Sequence, residues 1–217
     1  MKKQIITILA VSSLAVDAYA QGMVSLMDTA VAVSTNMVSV GGTQGGLYQP
    51  AGTYYFEMLF IPNTGQAAPT YNGGSISAWT DSTLSGTNTG NGVPTAAYLG
   101  HITGENGAAG IAVPGWLSGS SAYFVVLGWS ANEGTWGTVE QVLNGTGSWL
   151  TLGPAGGLFG YSAVGYAVSA AAPVPGTILF GTAPGLINTL ILGIPEPSTL
   201  ALAGLGGLSL LLMRRLK

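Results

Sequence analysis

Tight-turn signals recur through the middle of the chain and limit the length of any regular element there. Four Asn-Gly dipeptides occur, beginning at Asn72, Asn91, Asn106 and Asn144. Asn tolerates positive φ and Gly adopts it freely, which suits tight hairpins. The segments between these turns are rich in β-branched and aromatic residues, which favour strands. The pattern predicts an all-β fold, an antiparallel β-sandwich.

Two segments have the clearest strand patterns. The segment 53–61 has apolar residues at its even positions and a single acid, Glu57, among its odd positions, which predicts a strand buried on one face and nearly so on the other. The segment 121–130 has apolar residues on both faces, as a central strand does. Tyr123, Val125, Leu127 and Trp129 share one face, and Ala122, Phe124 and Val126 share the other. Further candidate strands are 23–33, 97–103, 109–113, 160–170 and 177–180, with an edge strand near 76–79 in an otherwise loop-like stretch 64–93.

One segment departs from the strand pattern. In the segment 135–143, the apolar residues occur at the spacing of one helix face, i, i+3, i+6 and i+7: Trp136, Val139, Val142 and Leu143. The Asn144-Gly145 pair that follows is a plausible helix stop. We expect one short helix here, packed on the sandwich.

The charged residues are unevenly distributed along the chain. From Gln21 to Ile194 there is no Lys or Arg, and six acids give this body a formal charge of −6. A nucleic-acid-binding surface needs cations to neutralise phosphates, so nucleic acid is excluded as a partner of the body. Attraction of the body to anionic lipid is excluded for the same reason. The six acids are Asp28, Glu57, Asp81, Glu105, Glu133 and Glu140.

The N-terminal segment has the three parts of a secretory signal peptide. Two lysines, Lys2 and Lys3, precede an apolar run over 5–16, and an Ala18-Tyr19-Ala20 cleavage site follows. We expect signal peptidase and the export machinery to act on residues 1–20, leaving Gln21 as the mature start. The alternative is a buried N-terminal helix. Since the run is short of the ~20 residues of a membrane span, it favours a removable signal.

The C-terminal segment contains a second targeting signal. Pro195-Glu196-Pro197 precedes an uncharged apolar run, which ends at the basic residues Arg214, Arg215 and Lys217. As a helix, 198–213 would reach about 24 Å, close to the hydrocarbon thickness of a bilayer. The terminal cations are expected to stay cytoplasmic and stop the chain in the inner membrane.

This tail resembles the PEP-CTERM sorting signal, in which a Pro-Glu-Pro motif, a short apolar helix and an arginine cluster follow one another. Ile194 stands where the motif often has Val. The resemblance implies processing by an exosortase near Pro195-Glu196-Pro197 in an exopolysaccharide-producing bacterium of the Gram-negative type. It also implies a transient inner-membrane anchor, followed by delivery to the cell surface or the extracellular matrix. The alternative is a plain tail anchor.

These observations predict four regions. A signal peptide covers 1–20 and a β-sandwich domain covers 21–170. The stretch 171–194, with Pro173, Pro175 and Pro184, is predicted to hold a last strand and an extended spacer. The sorting tail covers 195–217 and includes the transmembrane helix 198–213.

The body offers few groups for chemistry. It has no Cys, and its single histidine, His101, is predicted to lie on a strand with its ring toward solvent, so no metal and no cofactor are expected. Glu133 and Glu140, which flank the start of the predicted helix, are the best carboxylate pair for a glycosidase. Nothing beyond their proximity supports that pair, and we expect no enzyme activity.

Tryptophans raise a second possibility for the body, which is carbohydrate binding. Of the five tryptophans, Trp129 is predicted to be core by its strand phase, and Trp79 and Trp116 lie near loops where an exposed ring can stack on a sugar. The neutral Gly/Ser/Thr/Asn surface favours a different conclusion, an exported structural or adhesive protein of the cell surface or biofilm matrix. Exopolysaccharide is the expected partner in both cases.

Overall fold

The computed structural model describes residues 21–27, 33–36, 44–46, 51–89, 101–146 and 157–193. Within these ranges the chain forms short strands and one α-helix, α1 (Trp136–Thr146). The strands are β1 (Gln21–Ser25), β2 (Val33–Asn36), β3 (Gln44–Gly46), β4 (Tyr54–Pro62), β5 (Thr80–Asn88), β6 (Ile102–Gly104), β7 (Ile111–Leu117), β8 (Ser121–Ser130), β9 (Phe159–Tyr161), β10 (Gly165–Val168), β11 (Ala170–Ala171), β12 (Thr177–Ile178) and β13 (Leu190–Gly193).

The strands form two sheets, a small one built around β1 and a large one built around β8. In the small sheet β1 pairs with β7 on one side and with β11 and β12 on the other. The large sheet has the order β3-β2-β13-β9-β8-β4-β5-β6, and β10 pairs with the first half of β8. The pairs are antiparallel except β1–β12 and β13–β2. The predicted antiparallel sandwich with one helix is confirmed, with these two parallel pairs as exceptions.

The long strands β4 and β8 pair over their whole length, from Tyr54 opposite Ser130 to Pro62 opposite Ala122. One face of this pair packs against the small sheet. We call this contact the inter-sheet core, and it includes Phe56, Met58, Phe60, Phe124 and Val126 from the large sheet and Val24, Val113 and Trp116 from the small one. The prediction that β8 is central and apolar on both faces is therefore confirmed.

The opposite face of β4 and β8 is covered by α1. This helix-side core contains Leu59, Val125, Leu127, Trp129 and Phe159 together with Val139 and Leu143 of the helix and Ile76 of the preceding loop. The helical spacing therefore predicted the element. Of its apolar residues, Val139 and Leu143 are buried, and Trp136 and Val142 are partly buried against this core. The helix continues through Asn144-Gly145 to Thr146, beyond the predicted stop.

Strand β5 corrects the predicted loop 64–93, in which only 76–79 was expected to form a strand. The strand lies at Thr80–Asn88 and pairs with both β4 and β6. Its inward positions include two polar residues, and each bonds to the backbone: Ser82 Oγ donates to the Met58 carbonyl at 2.6 Å, and Asn88 Oδ1 accepts from the Tyr54 amide at 2.9 Å. Because hydrogen bonds rather than large apolar groups fill these positions, hydrophobic alternation did not identify the strand.

The stretch 171–193 corrects a second expectation. Its Pro and Gly content predicts an extended spacer, but its side chains belong to the inter-sheet core. The buried members are Leu179, Phe180, Ile187, Leu190 and Leu192. Their burial makes this stretch part of the sandwich up to Gly193.

The remaining strand predictions are partly confirmed. The predicted strand 160–170 is divided into β9 and β10, because residues 162–164 leave the ladder. The predicted strand 109–113 extends to Leu117 as β7, and β6 covers the end of 97–103. Within the described ranges no helix is both long enough and apolar enough to cross a membrane. The predicted signal peptide 1–20 and the sorting helix 198–213 lie outside the described residues.

Candidate functional site

A buried carboxyl pair lies on the helix side of the large sheet. Glu57 projects from β4 opposite Leu127 and is only 3% exposed. Its carboxyl hydrogen-bonds the side chain of Asp81 on β5, while its Oε1 atom has no hydrogen-bond partner. Burial first, and then the hydrogen bond with Asp81 and the negative charges of Asp81, Glu140 and Glu105, together raise the pKa of Glu57 to about 9. At neutral pH Glu57 is therefore a neutral acid that donates to Asp81.

Two further donors hold Asp81 in place. Its Oδ2 accepts from Trp136 Nε1 of α1 at 2.8 Å, and its Oδ1 accepts from the Thr83 amide at 2.8 Å. Thr83 has a φ of 59°, within an irregular part of the β4–β5 ladder. This network joins β4, β5 and α1 across the helix-side core. Because Glu57 is buried and the Asp81 carboxylate already accepts two hydrogen bonds, the arrangement suits a structural role.

The predicted carboxylates Glu133 and Glu140 occupy different surroundings. Glu133 lies in a 3₁₀ turn before α1, is 9% exposed and packs against Gly157, and burial raises its pKa. Glu140 is half-buried on α1, where its charge acts on Glu57. Within the described part of the chain no three acidic or histidine side chains are grouped so that they could hold a metal ion.

Sequence reasoning missed the Glu57–Asp81 pair. The available signal was a lone acid in the middle of a strand that is otherwise apolar on both faces. Such a carboxyl must become neutral or find a partner when the strand is buried. The partner, Asp81, belongs to the strand that hydrophobic alternation did not identify, so the pair could not be assembled from the sequence.

Trp116 is the clearest correction among the predicted site residues. Its expected exposure is wrong, because the side chain is 1% exposed and stacks on Phe60 with ring centroids 5.6 Å apart. Its Nε1 donates to the Ser120 carbonyl at 2.9 Å. Strand β7 continues through Gly115, whose φ is 82°, and the next residue turns inward. A ring so enclosed offers no face to a sugar.

Trp79 keeps part of its surface exposed. It contacts Tyr71 edge to face at 6.0 Å, and Tyr71 contacts Tyr161 in the same way at 5.1 Å. These rings lie along the border of the helix-side core. Trp129 is core, as predicted, and its Nε1 donates to the Gly134 carbonyl at 2.9 Å.

His101 directly precedes β6, at the end of the segment predicted to be its strand. The residue is half-buried, and its carbonyl accepts hydrogen bonds from the Thr89 amide at 2.8 Å and the Thr89 hydroxyl at 3.1 Å. It therefore takes part in joining the segment before β6 to the end of β5.

The position of β13 connects the fold to the C-terminal tail. Gly193 is the last residue of β13 and lies opposite Phe159 of β9, inside the large sheet. The protein is thus a two-sheet β-protein, and the C-terminal segment follows its last strand directly in the sequence. Residues 193–215 match a protein family described as the PEP-CTERM protein-sorting motif. The chain therefore carries a PEP-CTERM protein-sorting motif at its C-terminal end.

The motif range includes Pro195, Glu196 and Pro197 and the first two terminal cations, Arg214 and Arg215. It implies a protein that is exported to the cell surface by membrane-associated sorting, with an exosortase as its processing partner. Comparison with curated proteins and with solved structures finds no match to the chain.

Proposed function

We propose that this protein is a non-enzymatic structural or adhesive component of the cell surface or extracellular matrix. The observation that carries the proposal is the continuity of the sorting motif with the folded body. Strand β13 is paired with β2 and β9, and the motif begins at its last residue, Gly193. Processing near Pro195-Glu196-Pro197 would then remove the tail and leave both sheets intact.

The surface of the body supports a passive, hydrated role. On β5 the outward side chains are the neutral hydroxyl residues Thr83, Ser85 and Thr87, and all three are exposed. Because no Lys or Arg occurs from Gln21 to Ile194, the body offers hydroxyls, amides, aromatic rings and a few carboxylates for contacts with other molecules. Such groups can bond a polysaccharide without charge.

The buried carboxyls also favour a non-enzymatic role. Glu57 and Glu133 are both at least nine-tenths buried. The Asp81 carboxylate accepts hydrogen bonds from Trp136 Nε1 and from the Thr83 amide. A glycosidase needs two carboxyls that flank a bond of the substrate. Glu57 and Asp81 instead join β4, β5 and α1.

The intact mass and location of the native protein test the sorting and surface roles. In cells with their exosortase we expect an extracellular species that begins at Gln21 and ends near Pro195. In cells without the enzyme we expect a membrane-bound species that retains Arg214, Arg215 and Lys217. A membrane-bound, full-tailed species in both strains would contradict the proposal and leave a plain tail anchor.

Carbohydrate binding is the second candidate function, and the exposed aromatic surface of the body favours it. Of the two tryptophans considered above, only Trp79 retains exposed surface. Retention of the full chain on polysaccharide beads, in detergent, tests this candidate. If Trp79 forms the site, retention falls in Trp79→Ala and persists in Trp79→Phe, which keeps an aromatic ring.

A further inference from the structure

Two tyrosines form a solvent-facing pair at one end of the large sheet. Tyr123 of β8 and Tyr166 of β10 lie directly opposite each other, with ring centroids 5.4 Å apart and planes tilted by 55°. Tyr166 is 41% exposed and Tyr123 is half-buried. On the other side of Tyr123, Ile61 of β4 completes a row across three strands. We call Tyr123 and Tyr166 the tyrosine platform.

The platform is a continuation of the face that α1 covers. Side chains alternate along a strand, so Tyr123 projects to the same side as Val125, a member of the helix-side core. Among the described residues, the helix-side core begins at Val125 and does not include Tyr123, which stays partly exposed. Two adjacent and partly exposed aromatic rings form a contiguous apolar patch, and such patches are a usual feature of interaction sites.

Neutral polar groups surround the platform. Asn63 Nδ2 donates to Ser121 Oγ at 3.1 Å, beside the end of β8. The Tyr123 hydroxyl lies 3.5 Å from the Gln66 carbonyl, and the exposed Gln66 side chain is folded back by a 2.8 Å bond from its Nε2 to the Pro62 carbonyl. Amides and hydroxyls beside a rigid aromatic surface are the groups that hydrogen-bond and stack on a sugar chain.

Charge decides which polysaccharide fits this surface. The body has six acids and no cation between Gln21 and Ile194, so it repels a polymer of uronic acids or sulfated sugars. A neutral polymer is not repelled and gains the same stacking. A second copy of the body would carry the same net negative charge, which disfavours self-association through this face.

The platform also lies far from the end of the last described strand. Strand β13 ends at Gly193, which is opposite Phe159, and Phe159 is opposite Trp129 of β8. Tyr123 lies six residues earlier on β8, which corresponds to about 20 Å along the strand. The platform is therefore toward the opposite end of the sheet from Gly193.

We propose that the tyrosine platform binds a neutral, uncharged polysaccharide by ring stacking. This inference rests on the adhesive role proposed above and assigns that role a surface and a partner class. In this proposal the sugar contacts Tyr123 and Tyr166. Trp79, at the border of the helix-side core, packs against its neighbours and does not contact the sugar.

Binding of the full chain in detergent to three insoluble or bead-linked polymers tests the proposal. Cellulose and mannan are the neutral probes and alginate is the acidic one. We expect retention on at least one neutral probe and none on alginate. Tyr166→Ala is expected to weaken that retention about tenfold, since a lost aromatic contact is worth up to about 1.5 kcal/mol. Tyr166→Phe, which keeps the ring, and Trp79→Ala are expected to bind as the unaltered protein does.

Several outcomes would overturn the proposal. They are the absence of retention on both neutral probes, equal retention by Tyr166→Ala, or loss of binding in Trp79→Ala alone. Leu117→Ser changes another exposed apolar residue, 63% exposed, that lies outside the platform. If it weakens binding as much as Tyr166→Ala does, adsorption is unspecific and the platform is not the site. Sedimentation that shows a dimer lost in Tyr166→Ala would assign the surface to a second copy instead. The intact mass and location of the native protein in cells test the sorting role, and that test does not depend on any of these binding results.

Discussion

The two faces of strand β4 are stabilised in different ways. Phe56, Met58 and Phe60 point into the inter-sheet core and are fully buried among other apolar side chains. Glu57 lies between them in sequence and points to the opposite face, where it is buried beside Asp81 under α1. At these three positions the inter-sheet face is stabilised by the burial of apolar area. The helix-side face also depends on the proton of Glu57, so it is the face expected to respond to pH between 5 and 9.

The largest expected effect comes from the inter-sheet face. Phe56→Ala removes a fully buried ring, and we expect a loss of about 3–5 kcal/mol in the free energy of unfolding. Tyr55→Ala, one residue earlier, truncates a half-buried ring on the helix-side face and is expected to cost less. Urea denaturation of both variants measures the difference. Equal losses would show that the two faces contribute alike.

The pH dependence of stability should come from the helix-side face. The pKa of Glu57 rises from 4.5 to about 9 on folding, so the folded state binds its proton more tightly. The resulting stability is fully present below pH 4.5 and is lost as pH rises toward 9, by at most about 1.4 kcal/mol per pH unit. Denaturation of Glu57→Gln between pH 5 and 9 should show this slope removed, whereas the control Glu105→Gln keeps it. A Glu57→Gln variant with the original slope would assign the pH dependence to another group.

A smaller effect is expected from the contact between α1 and β5. Trp136→Phe keeps a ring but removes the donor to Asp81, and a hydrogen bond to a charged group is worth about 1.5–3 kcal/mol. A double-mutant cycle with Asp81→Ala isolates this coupling from the change in ring size. A coupling energy near zero would mean that apolar packing alone holds the helix on the sheet.

The smallest predicted effect has the opposite sign. Thr83 has a φ of 59°, which a β-branched residue adopts at a cost, so Thr83→Gly is expected to stabilise the fold by about 1 kcal/mol. Thr87 is exposed on the same strand and does not have positive φ, and Thr87→Gly should destabilise by about 0.5–1 kcal/mol. Thermal unfolding midpoints that shift in the same direction for both variants would contradict this explanation.

Sequence patterns predicted those parts of the fold that are filled by large apolar side chains. Alternation identified β4 and β8, and helical spacing identified α1, because each buries large side chains at regular intervals. The strand β5 was missed because Ser82 and Asn88 fill its inward positions through hydrogen bonds to other strands. Such bonds depend on residues distant in sequence, which a local pattern cannot contain.

The same contrast, between local sequence patterns and contacts made by residues distant in sequence, applies to the candidate sites. The sorting motif was predictable because its parts are consecutive in the chain. The exposure of Trp116 was not, since a single positive φ at Gly115 precedes the residue that turns into the core. The tyrosine platform depends on the register between β8 and β10, so the two rings are neighbours only in the folded sheet.

The parallel pairing of β13 with β2 has a consequence for the order of events during biogenesis. Residues 190–193 pair with residues 33–36, so this ladder closes only after nearly the whole body has been synthesised. Contacts between such distant segments fold slowly, because the loop-closure entropy must be overcome before the pairing stabilises the chain. The residues that complete the sheet are followed at once by the sorting motif. The sheet can therefore be completed only when synthesis has reached the start of the sorting motif.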